Sequence, residues 1–217
     1  MYNEYEITEA EYNEIKQQYL EGKINIDRIY YVKELNVMYT FNYTSRSTLT
    51  IIETKIVDGK KEVVSKEKYI DGALHSKTYY NGEFSIKKIY NDADELDRTY
   101  YKKNDILHRT DGPAVEYNDK KHNGHFYVDG TWVNDRFFNK MVKNIKNGRI
   151  IHILNNYNYK YLMIIKTMVE EIGDKKELDE VNKYILIRKL KRELIKNDEI
   201  NNIFNPNNLW EQGYTRI

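Results

Sequence analysis

The feature that most constrains this chain is a beat of tyrosines set against turn dipeptides. Tyr69, Tyr80, Tyr90, Tyr100, Tyr117 and Tyr127 follow one another, and four of the five intervals are ten or eleven residues. A strand plus a tight turn occupies about that length, so the spacing predicts an antiparallel meander. Short self-similar units sit on the same beat. Tyr69-Ile70-Asp71-Gly72-Ala73-Leu74-His75 has a counterpart in Tyr127-Val128-Asp129-Gly130-Thr131-Trp132-Val133. Tyr101 to His108 repeats the idea around Asn104-Asp105, with one residue inserted. Each unit is an aromatic, a dipeptide tolerant of positive φ, and an apolar residue that re-enters the sheet.

Upstream, Val37, Tyr39, Phe41 and Tyr43 alternate with polar residues, as do Ile52, Thr54 and Ile56. Asp58-Gly59 then marks a two-residue hairpin. Before this β region, Thr8-Glu9-Ala10-Glu11 is a capping-box pattern. Tyr12, Ile15 and Tyr19 share the face of the helix it opens, and Gly22 is its stop. After it, helical patterns run from Arg136 to Lys146, from Tyr157 to Ile172, and onward from a cap at Asp174. Val181, Tyr184, Ile187, Leu190 and Leu194 form a stripe on the last of these, and Asn205-Pro206 breaks the pattern before Trp210. The expected fold class is α+β: an antiparallel β-meander of repeated hairpins, with a short N-terminal helix and a C-terminal helical segment. The expected organisation is a helix over 1–25 packed on the sheet, a β-hairpin repeat domain over 26–133, and a helical region over 134–217.

Composition removes several function classes. Lys plus Arg number 35 against 34 Asp plus Glu, a net charge of +1, which argues against a dedicated nucleic-acid binder. Cysteine is absent, so disulfides, thiolate metal sites and thiol nucleophiles are excluded. The acidic start MYNEYEITEAEYNEIK is unlike a secretory signal, and no apolar run is long enough to span a membrane. We therefore expect a cytoplasmic protein without membrane association. Heavy use of Asn, Lys, Ile and Tyr matches an AT-rich genome such as that of a phage, a giant virus or a low-GC bacterium.

One motif invites a chemical reading: Leu107-His108-Arg109-Thr110-Asp111-Gly112-Pro113-Ala114. It resembles the L-H-R-x-D-G-P-A element of a repeat in phage, giant-virus and bacterial proteins, similar in style to MORN and MORN-variant hairpins. The resemblance is close over Tyr101 to Tyr127, partial over Tyr69 to Tyr80, and absent outside 69–133. It implies a β-hairpin array used as a scaffold or binding surface, and it transfers no catalytic residues.

Read from the residues, His108, Arg109 and Asp111 could hold a phosphate or orient a proton transfer. The structural alternative is a corner, in which Arg109 pairs with Asp111 or nearby carbonyls, Gly112 takes a conformation closed to other residues, and Pro113 starts the next strand. We expect the corner. His122-Asn123-Gly124-His125 places two imidazoles across a turn and not at the i, i+4 helical spacing of paired metal ligands, and nothing in the spacing brings Asp119 or Asp129 to them, so no metal is expected. Arg188-Lys189-Leu190-Lys191-Arg192 is the one dense basic cluster, but acidic residues share its helix.

The function expected from the sequence is that of a non-enzymatic interaction protein, needing no cofactor and no metal. Its partner is a protein, a host factor in defence or regulation if the chain is viral, and open sheet edges make homo-oligomers an expectation too. The alternative is a small-ligand binder that sequesters a nucleotide or other phosphate compound. Residues expected at such a surface are His108, Arg109, Asp111, Tyr101, Tyr117, Tyr127 and Trp132.

Overall fold

The computed structural model describes residues 4–45, 47–119 and 121–203, with side chains described over 5–196 of these. The chain divides into two compact units, Met1–Asp135 and Arg136–Ile217.

The first unit is built on one ten-stranded sheet. Its strands are β1 (Glu4–Ile7), β2 (Arg28–Val32), β3 (Val37–Ser45), β4 (Thr48–Val57), β5 (Lys60–Ile70), β6 (Ala73–Asn81), β7 (Phe84–Tyr90), β8 (Leu96–Lys103), β9 (Ile106–Leu107) and β10 (Val115–Tyr117). Strands β1 to β8 lie in chain order, and both β9 and β10 pair with β8. From β2 onward every pairing is antiparallel, which is the meander that the tyrosine beat predicts. A separate hairpin joins β11 (Phe126–Val128) to β12 (Thr131–Val133). At Asp58-Gly59, Asp71-Gly72, Asn104-Asp105 and Asp129-Gly130 both turn residues have positive φ. Such turns match the right-handed twist of the strands they connect.

One element departs from the sequence reading. Strand β1 precedes the first helix and pairs parallel to β2. A parallel pair needs a crossover, and helix α1 (Glu9–Leu20) supplies it. Four residues beside the chain start carry too little alternation to announce a strand.

The capping box is present: Thr8 Oγ1 accepts from the Glu11 N–H at 3.3 Å, and Glu11 Oε2 accepts from the Thr8 N–H at 2.7 Å. Helix α1 lays Tyr12 and Tyr19 onto one face of the sheet. Tyr12 stacks on Tyr39 at 3.8 Å between ring centres, and Tyr19 stacks on Phe41 at 4.3 Å. Tyr30, Val32, Leu49, Ile51 and Tyr69 complete this core. Burying such side chains contributes about 1.5–3 kcal/mol each, which an isolated twelve-residue helix lacks.

The second unit contains α2 (Asp135–Lys146), a 3-10 segment (Ile150–Asn156), α3 (Tyr159–Ile172) and α4 (Lys175–Ile203). Phe138, Met141, Ile150, Leu154, Leu162, Ile165, Met168 and Val181 are fully buried. The stripe expected on α4 holds only at its start. Val181 is buried, whereas Ile187, Leu190 and Leu194 are exposed, because the 14 residues of α3 cannot cover the 29 of α4. Asn205-Pro206 and Trp210 lie outside the described residues. Among the described residues no helix is long and apolar enough to cross a membrane.

Candidate functional site

The Leu107–Ala114 motif folds as a corner between β9 and β10. Its backbone is stitched to neighbouring strands: the His108 N–H donates to Tyr101 O at 3.0 Å, the Arg109 N–H to Tyr127 O at 3.0 Å, and the Tyr101 N–H to Ala114 O at 2.8 Å. The Arg109 guanidinium lies 4.0 Å from the centre of the Tyr101 ring. Its Nε donates to Asp111 Oδ1 at 2.6 Å, and Nη1 donates to Glu116 Oε1 at 2.6 Å and to Pro113 O at 3.3 Å. The Tyr101 hydroxyl closes the ring of contacts by donating to Glu116 Oε2 at 2.8 Å. Carboxylates on two edges and an aromatic face below are what a charged pin requires.

Two details refine the sequence reading of this corner. Gly112 does not adopt a left-handed φ; a Cβ there would stand 2.9 Å from Arg109 Cζ, so a larger residue would have to displace the guanidinium from its position. His108 is buried, with Nδ1 3.0 Å from the Asp129 N–H and 2.8 Å from Asp129 Oδ1. A neutral Nδ1 serves the N–H, and a protonated one the carboxylate. His75, at the matching repeat position, is half-buried in a bulge between β5 and β6.

The structure thus gathers Tyr101, Arg109 and Asp111 with His108 beside them, and Tyr127 joins this corner through its backbone carbonyl. Tyr117 packs near Arg98, His122 and His125, and Tyr127 pairs with Trp132 across the β11–β12 hairpin. Trp132 is 58% exposed. His122 Nδ1 lies 2.7 Å from Asp119 Oδ2, and among the described residues no three metal-ligating side chains gather.

A different set of residues converges on the sheet face opposite α1. Register fixes it: Lys66 stands beside Thr78, Thr78 beside Lys87, and Lys68 beside Ser76. One row further along the strands, Tyr80 stands beside Ser85, and Ser85 beside Lys102. Residues directly opposite in an antiparallel pair project to the same face. All of them line one cavity of about 220 Å³, with Asp105 at its rim. Ser76 and Ser85 are buried at its floor.

Charge is unbalanced here. Among the described residues none of Lys66, Lys68, Lys87 and Lys102 has a carboxylate within ion-pair distance. Burial, followed by repulsion from Lys102, Lys68 and Lys66, holds the Lys87 ammonium below the usual lysine range. Burial and the nearby Asp105 carboxylate push the Tyr80 hydroxyl up. Four ammonium groups over a floor of hydroxyl donors suit an oxyanion.

The basic cluster on α4 offers a weaker case. Arg188, Lys189, Lys191, Arg192 and Lys196 line a cavity of about 540 Å³ with Asn158, Tyr159, Glu193 and Ile195. Arg188 is committed to the carbonyls of Tyr157 and Asn155, and Glu193 already sits among the cations.

Sequence reasoning did not find the lysine groove. Lys66-Glu67-Lys68 reads as mixed charge, and only strand register separates its members. The available signal was one parity of polar residues on four successive strands: Lys66 and Lys68, then Ser76, Thr78 and Tyr80, then Ser85 and Lys87, then Lys102. Comparison with models of known protein families, with curated proteins and with solved structures finds no match for this chain.

Proposed function

We propose that this chain is a non-enzymatic binding protein that holds a phosphate-bearing ligand on the open face of β5 to β8. The observation that supports this reading is the set of four lysines with no carboxylate partner among the described residues, gathered around one hydroxyl-lined cavity. Like charges held together in a folded sheet are unfavourable unless an anion joins them. The residues of the groove are chiefly donors, suited to holding charge. The test is thermal unfolding in phosphate against chloride at matched ionic strength. Bound anion raises the melting temperature in step with its concentration over Kd. Lys87→Ala is expected to abolish the shift. Equal melting of wild type in both salts, up to tens of millimolar, overturns the reading.

A second reading, association with another protein, has its own observation. On the face that carries α1, beyond the helix, Tyr79, Phe84, Ile86 and Ile106 are all exposed. Register places Tyr79 beside Ile86, and Phe84 and Ile106 on either side of Lys103. An exposed apolar group of this kind is a common mark of a protein interface. A second copy of the chain is the first partner to test: sedimentation over a concentration series should show association that Phe84→Ser weakens, and a monomer at every concentration removes self-association.

A further inference from the structure

The ligand class of the lysine groove can be narrowed, an inference that rests on its being an anion site. We infer that the groove is built for a chain of two or three linked phosphates, either free or as the tail of an ester, and not for a single phosphate.

Three observations carry this. The first is spacing. Lys66 and Lys68 stand on β5, Lys87 on β7 and Lys102 on β8, with Ser76 and Thr78 of β6 between them. Strands are ~4.8 Å apart, so the backbones carrying the two groups of lysines are ~10–14 Å apart across the hydroxyl strand. Along β5 the two lysines are ~7 Å apart. A linear anion lying across β6 has lysines at both of its ends and the Ser76 and Thr78 positions beneath its middle.

The second is charge. The rim contributes one carboxylate, Asp105, against four ammonium groups. A single phosphate brings only about −1.5 to −2 at neutral pH, and leaves the groove positive. A linked pair or triplet of phosphates supplies the balance.

The third is size. The cavity of about 220 Å³ lies below the ~300–1,000 Å³ typical of pockets that enclose a whole small molecule. It accommodates the anionic part alone, and any organic group stays outside. Asp105 beside Tyr80 marks the end at which such a group would leave, because a carboxylate repels further phosphate and accepts from a hydroxyl.

The experiment is isothermal titration of the full chain, in EDTA at fixed ionic strength, with inorganic phosphate, pyrophosphate, tripolyphosphate and ADP. Pyrophosphate and tripolyphosphate are expected to bind about tenfold or more tighter than phosphate, because each added charged contact is worth roughly that factor. Lys66→Ala and Lys87→Ala, first checked for an unchanged circular dichroism spectrum, should each remove most of that advantage. ADP binding as tightly as pyrophosphate identifies an ester tail, and ADP binding far more weakly identifies free oligophosphate; both sustain the inference. Phosphate binding as tightly as pyrophosphate, with loss on Lys87→Ala, overturns the inference while the anion site stands. Wild-type protein that binds none of the four, or binding that ignores both substitutions, overturns the anion site itself.

Discussion

The tripeptide Lys66-Glu67-Lys68 divides the two faces of the sheet. Glu67 turns toward the face that carries α1. There Lys16 of α1 and Lys77 of β6 each approach its carboxylate to 2.7 Å, and the Tyr69 hydroxyl donates to it at 2.7 Å. Burial by itself drives the Glu67 carboxyl up, but the two ammonium groups and the hydroxyl outweigh it and hold the group down at about 2. Lys66 and Lys68 turn the other way, into a groove whose lysines have no such partner among the described residues. Both faces hold half-buried lysines. On one, Lys16 and Lys77 share the Glu67 carboxylate while Lys88 faces the Tyr79 ring; on the other, among the described residues, Lys66, Lys68, Lys87 and Lys102 have no carboxylate within ion-pair distance. A net charge near zero therefore conceals a local excess that only the strand register exposes.

The contrast fixes the order in which substitutions should act. Phe41→Ala, at a fully buried ring between Tyr19 and Tyr30, should cost about 3–5 kcal/mol in urea unfolding. A cost under 1 kcal/mol would mean that α1 does not anchor the sheet. Glu67→Gln comes next, at about 3 kcal/mol, because it strands two partly buried ammonium groups. That substitution also has a pH signature. The folded carboxyl titrates at about 2, below its ordinary 4.5, so its contribution is complete above about pH 4.5 and fades as pH falls toward 2. The variant should lose less stability than wild type over that window, and parallel acid limbs would contradict the ion triad.

Smaller effects belong to the corner and the groove. Arg109→Ala removes a ring contact and two ion pairs that are partly exposed, and should cost about 1–2 kcal/mol. Lys87→Ala should reverse the sign. Removing one of four clustered cations should leave the chain unchanged or more stable by about 0.5 kcal/mol in chloride, while anion binding is lost. A destabilisation near that of Glu67→Gln would make Lys87 a structural residue and remove the contrast between the faces.

Much of this fold is legible in the residues. The tyrosine beat and the Asp-Gly turns announce the meander because backbone sterics at positive φ and the length of a strand are local properties. Thr8 and Glu11 announce the start of α1 for the same reason. Strand β1 escapes notice because its pairing depends on β2, more than twenty residues away. The α4 stripe misleads because periodicity records which face is apolar, and coverage depends on how far α3 extends. The lysine groove is the extreme case. Its lysines come from three strands, and from one strand to the next they lie fifteen or more residues apart in sequence, too far to form a motif.

The central claim, that the open face and not the corner receives an anion, is tested most directly by mapping amide chemical shifts during a titration with pyrophosphate. Saturable shifts should centre on Lys66, Lys68, Thr78, Lys87 and Lys102, with Arg109 to Glu116 unmoved. Shifts centred on His108, Arg109 and Asp111, with β5 to β8 silent, would contradict the account and return the site to the Leu107–Ala114 corner.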